Sequence, residues 1–588
     1  MKQLTNIELA HLLRKVAAAY QILNENRFKI IAYDRAADSI EHLTSEVKDY
    51  WDDGKLGEIP GVGQGIASYL DELFRSGKVA HFDDLMKRIP ARVFTLLLVP
   101  GLGPKKAYRL VTELKLGEKT VIADLEKAAK AGKIAPMEGF GEKSEADILV
   151  NLDTYKRGAI KENRMALSTA DGIATEVMAF VKKGGAVEQI DRLGSLRRQV
   201  STIGDIDLAV ATTKPEQVTE HFVTYPHQKL VEKGPGGATL LLHNGRQVDM
   251  RVQHPKKYGA MLQYFTGSKN HNIKLREHGL ARGLSLNEHG IKNVKTGKLT
   301  PYSTEEAFYK AVGLPWIPPE LREDRGEIEA ALNKKLPNLP DVSDIKGDLH
   351  MHTSYDLQSS HDVGRNVLSE HLDRAAELGY EYIGISDHNP SLAKHSATEI
   401  ATIMKKRFAF YKSEEKKSKS GVHVFVMCEV DIMPDGKLAL PKEAFEHVDA
   451  VVVSLHSSFT QDKKTVTDRI LTAFAANPKV RIFGHPTGRL LGSREGVNAD
   501  WPEVFAAAKK YDIALEINSS PQRLDLPDIL VYDAVHVGVR FTIDTDSHGL
   551  ESMDLMRYGV SVARRGWVQK GDIMNALGYT EFKKWLTK

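Results

Sequence analysis

The sequence predicts a multidomain α/β protein: helical at the N-terminal end, a mixed sheet in the middle and a β/α barrel at the C-terminal end. Three observations carry this. Apolar residues recur at helical spacing in the first 85 or so positions, punctuated by Gly-x-Gly hairpins. A Gly-Ser…Asp-x-Asp stretch, residues 194–207, runs into the apolar strand Leu208-Ala209-Val210. From Ile345 onward, apolar strands end in His, Glu or Asp and alternate with helical segments.

The chain of 588 residues is long enough for several cores, and 42% hydrophobic with 27% charged residues is an ordinary globular composition. A net charge of +3 leaves any contact with nucleic acid to local patches. Cys428 is the only cysteine, which excludes intramolecular disulfides and fits a reducing compartment. No apolar run approaches the roughly 20 residues of a transmembrane helix, and Met1–Asn6 lacks the apolar core of a signal peptide. A cytoplasmic protein without membrane contact is expected.

Ala10, Leu13, Val16, Ala17 and Tyr20 recur at helical spacing, and 32–40 repeats the pattern. Ile59-Pro60-Gly61-Val62-Gly63 then opens a helix, and Val99-Pro100-Gly101-Leu102-Gly103 does so again 40 residues later, followed by Pro104, Lys105 and Lys106. This is the helix-hairpin-helix signature. Gly61, Gly63, Gly101 and Gly103 let backbone amides approach a DNA phosphate without reading sequence, with Lys105 beside them. Gly139-Phe140-Gly141 is a looser third copy.

In the middle segment, Asp205 and Asp207 are two residues apart and share one face of a strand. The strand 247–252 supplies a third acid, Asp249. Three hard carboxylates on neighbouring strands suit a pair of Mg²⁺ or Mn²⁺ ions and phosphoryl transfer.

In the C-terminal part, six strand ends carry His350 and His352, His388, Glu429, His456, His485, and Asp546 with His548. Helical segments 365–378, 465–476 and 501–510 separate some of them. Functional side chains at the C-terminal ends of parallel strands are where a β/α barrel builds its site.

Gly194-Ser195-Leu196-Arg197-Arg198, Gly204-Asp205-Ile206-Asp207, the lone Asp249 and Tyr264-Phe265-Thr266-Gly267-Ser268 together resemble the palm and thumb of family X DNA polymerases. The resemblance implies that Gly194, Ser195, Arg198 and Gly204 grip a triphosphate. Tyr264, Phe265 and Gly267 would flank the sugar, Asn272 would touch the incoming base and Arg276 would lie along the template. Gln247 stands where many relatives place an Arg. The first helical domain resembles the family's lyase domain, but Tyr69 stands at the usual lysine nucleophile, with Lys29 and Arg35 left to bind a 5′-phosphate.

The C-terminal part resembles the PHP (polymerase and histidinol phosphatase) domain, a distorted (β/α)7 barrel that hydrolyses phosphoesters with up to three Zn²⁺ or Mn²⁺ ions. Its ligands would be His350, His352, His388, Glu429, His456, His485, Asp546 and His548. The family's Ser-Asp-Gly segment is replaced by 353–364, so the ninth ligand is Asp356, His361 or Asp362.

The implied domains are 1–85 (helical, lyase-like), 86–150 (fingers), 151–255 (palm), 256–316 (thumb), 317–344 (linker) and 345–588 (PHP). The implied function is gap filling in DNA repair with a 3′→5′ exonuclease, on gapped or primer–template DNA with dNTPs, by a monomer. The alternatives are a DNA-end-binding scaffold, a small-molecule nucleotidyltransferase, or a barrel acting as 3′-phosphatase or abasic endonuclease.

Overall fold

The computed structural model describes residues 4, 6–41, 47–52, 54–59, 61–97, 99, 102–118, 120–137, 139–156 and 164–588. The chain divides into two compact units, 1–163 and 164–588. Among the described residues, no helix is long and apolar enough to cross a membrane.

The first unit is helical, as the periodicity predicts. In the helix Gln64–Ser76, Ile66, Leu70 and Leu73 face the core, and Gly77 ends it in the left-handed region at φ 75°. Gly61 is obligatory: its φ is +78°, and a Cβ would lie 3.2 Å from the Arg35 carbonyl. Gly63 and Gly103 cap the helices Gln64–Ser76 and Pro104–Glu113, with open space where a Cβ would stand. Gly101 lies outside the described residues. Lys105 donates to Asn24 Oδ1 at 2.6 Å. Tyr69 stacks on His81 at 5.2 Å between ring centroids.

The second unit opens with the palm. Its strands are β1 (Gln189–Arg192), β2 (Ile206–Ala211), β3 (Lys229–Gly234), β4 (Gly237–Leu241) and β5 (Gln247–Gln253). Their order is β1-β2-β5-β4-β3, with β2 and β5 parallel and the other pairs antiparallel. The helix Leu167–Lys183 covers one face through Ala170, Ala174, Val177 and Val181, a spacing of three and four.

The thumb core joins Leu275, Leu286, Phe308 and Tyr309 to Ile317, Leu321, Ile328 and Ala331. The last four fall in 317–344, which was expected to be a linker. That expectation is corrected: Pro319–Leu321 and Glu327–Leu332 are helical turns packed into the thumb, and Arg322 is wholly buried. The Pro-rich composition hid their spaced apolar residues.

Arg322 is buried because Glu305 is there to meet it. Arg322 Nη1 and Arg197 Nη2 donate to Glu305 at 2.7 and 2.6 Å, and Trp316 Nε1 at 3.1 Å. Burial opposes ionisation of Glu305, but the two arginines outweigh it and hold its pKa at about 2. A carboxylate with a depressed folded pKa stabilises above its unfolded value and loses that contribution as pH falls through the folded one. Glu305→Gln is therefore expected to destabilise the second unit by about 3 kcal/mol at pH 7. The gap to wild type should narrow below about pH 4.5. Urea midpoints at pH 7 and pH 3.5 check this; equal gaps at both would exclude the ion pair as the cause.

The C-terminal barrel consists of β6 (Gly347–Met351), β7 (Tyr382–Ile385), β8 (His423–Val426), β9 (Cys428–Asp431), β10 (Val451–Ser454), β11 (Val480–Gly484), β12 (Ala514–Asn518) and β13 (Phe541–Asp544). All neighbours pair in parallel. β8 and β9 are halves of one strand broken at Met427, which leaves seven strands. Bonds between Ser547 and the backbone of His350 and His352 close the ring (3.2 and 2.8 Å). The break is held by Arg407, which is fully buried: Nη1 donates to Met427 O at 2.6 Å and Nη2 to Ile385 O at 3.0 Å. Asp387 Oδ2 neutralises its charge, 2.8 Å from Nη2. The predicted helices appear as Leu368–Glu377, Lys463–Ala475 and Trp501–Tyr511.

Candidate active sites

The palm site grows from the register of two strands. Asp207 on β2 pairs with Asp249 on β5, and Thr239 on β4 is the next partner across. Both carboxylates therefore leave one face of the sheet side by side. Asp205 does not share the strand as its spacing predicts: β2 begins at Ile206, and Asp205 lies in the bend just before it and is exposed. Asp249 accepts hydrogen bonds from the Thr239 hydroxyl and, at 2.9 Å, from Gln247 Nε2. So Gln247, which departs from the usual Arg, orients the third acid.

Burial and the neighbouring Asp249 push the Asp207 pKa up to about 7. Clustered acids with that much mutual repulsion are relieved by cations. Gly194, with φ +55°, starts the one-turn helix Gly194–Arg197 over this face. A Cβ there would lie 2.5 Å from Asp207 Oδ2, so only glycine allows the approach. Ser195 follows it, and Gly204 lies in the turn before Asp205.

Arg198 Nη1 donates to Thr266 O at 2.6 Å, and a Cβ on Gly267 would lie 3.1 Å from that nitrogen. The Gly267-Ser268 peptide bond is cis. Tyr264 packs edge-on against Phe265, whose ring lies under Arg251, and Arg276 lies 6.0 Å from the Tyr264 ring. The Asn272 amide is bonded at both ends, donating to Tyr264 O at 2.7 Å and accepting from Gln263 Nε2 at 2.8 Å. His271 is a buried brace between Glu327 and Tyr309.

In the barrel, all eight predicted ligands converge. The ligand atoms of five triplets lie within 4.8 Å of one another: His350–His352–Glu429, His350–His485–Asp546, Glu429–His456–His485, His352–His388–His548 and His361–His388–His456. Glu429 is the hub, with His388 Nδ1 at 2.9 Å, His350 Nε2 at 3.2 Å and His456 Nε2 at 3.3 Å.

These atoms are close but ill-directed. His350 Nε2, His352 Nε2, His388 Nδ1, His548 Nε2 and Glu429 Oε2 are buried without a hydrogen bond. Orphaned nitrogens and oxygens converging on common points are what metal ions satisfy, so the donor set fits a cluster of divalent cations. Burial and the adjacent His388 and His548 hold the His352 pKa near 3, the neutral form a ligand needs. Burial would raise Glu429, but His350, His388 and His456 hold it anionic.

The expected ninth ligand narrows. Asp356 is turned into its own loop, accepting from Gln358 N at 2.6 Å. His361 stands beside His388 and His456. Asp362 comes within 3.2 Å of His548 Nε2 and 3.7 Å of His388 Nε2. Two backbone positions are strained, at φ +26° for His485 and +53° for Asp546. Non-glycine residues persist there only where function or surroundings impose it.

Chelation is expected to lower the barrel's melting temperature, and Mn²⁺ or Zn²⁺ to restore it. An ion at 100 times its dissociation constant contributes about 2.7 kcal/mol. Identical melting curves with and without chelator would contradict a resident cluster.

Comparison with known proteins supplies the family. The chain matches family models for the helix-hairpin-helix domain over 4–79, the DNA polymerase beta thumb over 261–323 and the PHP domain over 348–520. It is 32% identical over 586 residues, 99% of each chain, to the DNA polymerase/3′-5′ exonuclease PolX of Bacillus subtilis. The chain belongs to the bacterial family X DNA polymerases with a PHP domain. It is also 22% identical to rat DNA polymerase lambda over 54% of this chain and 56% of the other. A probable phosphatase of Caldicellulosiruptor bescii is 31% identical over 30% of this chain and 66% of its own. The thumb match extends to residue 323, into the segment expected to be a linker.

For a PHP-containing family X polymerase, the supporting residues are the ones sequence reading missed. Glu516 lies 2.6 Å from His350 Nδ1 and also accepts from the His485 amide. Asp431 lies 2.6 Å from His456 Nδ1 and 2.9 Å from His361 Nε2. Such carboxylates fix the ring orientation of liganding histidines. Asp431 ends an apolar strand two residues after Glu429, and Glu516 stands in the middle of the apolar strand β12; an acid in such a strand was the available signal.

Proposed function

We propose that the chain is a DNA-directed DNA polymerase that fills short gaps in DNA repair and carries a metal-dependent 3′→5′ exonuclease in its PHP barrel. The in-register pairing of Asp207 and Asp249 beneath Gly194, in a chain aligned end to end with a two-activity relative, carries this reading.

In the palm, Asp205, Asp207 and Asp249 hold two Mg²⁺ or Mn²⁺ ions. Gly194, Ser195, Arg198 and Gly204 receive the triphosphate, and Tyr264, Phe265 and Gly267 line the sugar. Asn272 sets Tyr264 and reaches the base, and Arg276 follows the template. In the barrel, His350, His352, His388, Glu429, His456, His485, Asp546 and His548 hold up to three Zn²⁺ or Mn²⁺ ions, with His361 or Asp362 as a ninth ligand. Bound divalent cations supply charge neutralisation at the phosphate under attack. The side chains align the reactants: Thr239 and Gln247 fix Asp249, while Glu516 and Asp431 fix His350 and His456. Gly61, Gly63, Gly101, Gly103 and Lys105 meet DNA phosphates. The protein acts as a cytoplasmic monomer.

The likeness of the barrel to a probable phosphatase favours a second reading, removal of 3′-phosphates. A 5′-labelled primer on gapped DNA with Mn²⁺ tests both. Extension with dNTPs and stepwise shortening without them are expected. A primer shortened only by its 3′-phosphate would select the second reading, and an unchanged primer in every reaction would reject both.

A further inference from the structure

Arg198 is held by a chain of charges that begins in the barrel. Its Nε donates to Glu323 Oε1 at 3.0 Å. The same oxygen accepts from Arg565 Nη1 at 2.9 Å, and Arg565 Nη1 also donates to the backbone carbonyl of Arg198 at 2.7 Å. Arg565 Nη2 donates to Asp528 Oδ2 at 2.9 Å, which also meets Arg325 Nη2 at 3.2 Å. Arg565 is 4% exposed. It ends the helix Met556–Arg565, which lies against β12, β13 and the turn Pro319–Leu321.

Three arginines thus share two carboxylates. Burial opposes ionisation of Glu323, but Arg198 and Arg565 outweigh it, so it remains an anion. One positive charge is left over, and the two bonds of Arg198 use Nε and Nη1 and leave Nη2 outside them. A long side chain fixed in this way loses less entropy on meeting an anion than a free one.

We propose that Arg565, a residue of the exonuclease barrel, is a positioning residue of the polymerase site: through Glu323 and the Arg198 carbonyl it orients the guanidinium of Arg198 toward the incoming triphosphate. This rests on the reading of Arg198 as a triphosphate contact. Residues of the PHP domain thereby set nucleotide affinity without touching the nucleotide.

The test is steady-state incorporation on gapped DNA by the full chain, comparing wild type, R198A, R565Q, R565K, E323Q and the double variant R198A/R565Q. Primer shortening is measured in parallel. R198A and R565Q are expected to raise the KM for dNTP about tenfold, the effect of one charge-assisted contact. KM should move more than kcat, and R565K should recover part of the loss. The double variant should be no worse than R198A. Shortening should persist in R565Q.

If R198A leaves KM unchanged, the reading of Arg198 fails, and with it this inference. If R198A raises KM and R565Q does not, or if the two effects multiply in the double variant, only the positioning role is overturned. Should R565Q lose shortening as well, its barrel is damaged and E323Q decides. A raised KM in E323Q with shortening intact supports the positioning role, and an unchanged KM overturns it.

Discussion

Asp249→Ala is expected to lower nucleotide incorporation by on the order of 10³-fold while leaving primer shortening and DNA affinity in place. The size follows from the loss of one of the three carboxylates proposed to hold the palm cations, an effect of several kcal/mol on the barrier. Asp249 is half-buried beside Asp207, and its oxygens are already directed by Thr239 and Gln247. Alanine leaves those donors without an acceptor and Asp207 without its partner. Relief of the repulsion from Asp249 should also let Asp207 ionise more readily, because that neighbour is a main cause, after burial, of its raised pKa. Gln247→Ala should have a smaller effect in the same direction, since it removes orientation and not charge. Single-turnover incorporation on gapped DNA, with a parallel gel-shift titration, measures this. Near-wild-type incorporation in D249A would remove the palm from consideration as the synthetic site.

Glu429→Ala in the barrel is the mirror experiment. Shortening of a 3′ end should fall by on the order of 10³-fold, and incorporation should not change. Glu429 approaches four of the predicted ligand rings within 3.3 Å, more than any other acid in the cluster. Its removal takes away the one carboxylate that meets His350, His388, His456 and His485 together. Glu516→Ala should produce a weaker defect, about 10- to 100-fold, because it orients His350 without occupying a ligand position. Measured metal content separates the two: E429A should lose bound metal outright, and E516A should hold it less tightly. Persistent shortening in purified E429A would place the nuclease elsewhere.

The periodic parts of this chain were legible from its residues. Alternating apolar strands ending in His, Glu or Asp need no partner to be recognised, because a parallel barrel strand is buried on both sides and its chemistry is confined to one end. Gly61 likewise announces a turn that only glycine adopts, whereas the spacing of Asp205 and Asp207 suggests one shared strand face and the strand in fact begins between them, at Ile206. What sequence could not decide depends on contacts between distant positions. The segment 317–344 reads as a Pro-rich tether, yet Arg322 is buried there because Glu305 meets its charge from 17 residues away. Asp356, His361 and Asp362 are all metal-ligating residue types that sequence cannot rank, and the course of the 353–364 loop turns Asp356 into its own backbone and brings both His361 and Asp362 to His388. Glu323 and Arg565 carry no motif and lie 242 positions apart. A local pattern specifies which face a side chain leaves by; which charge it meets on the other side is settled only when the chain closes on itself.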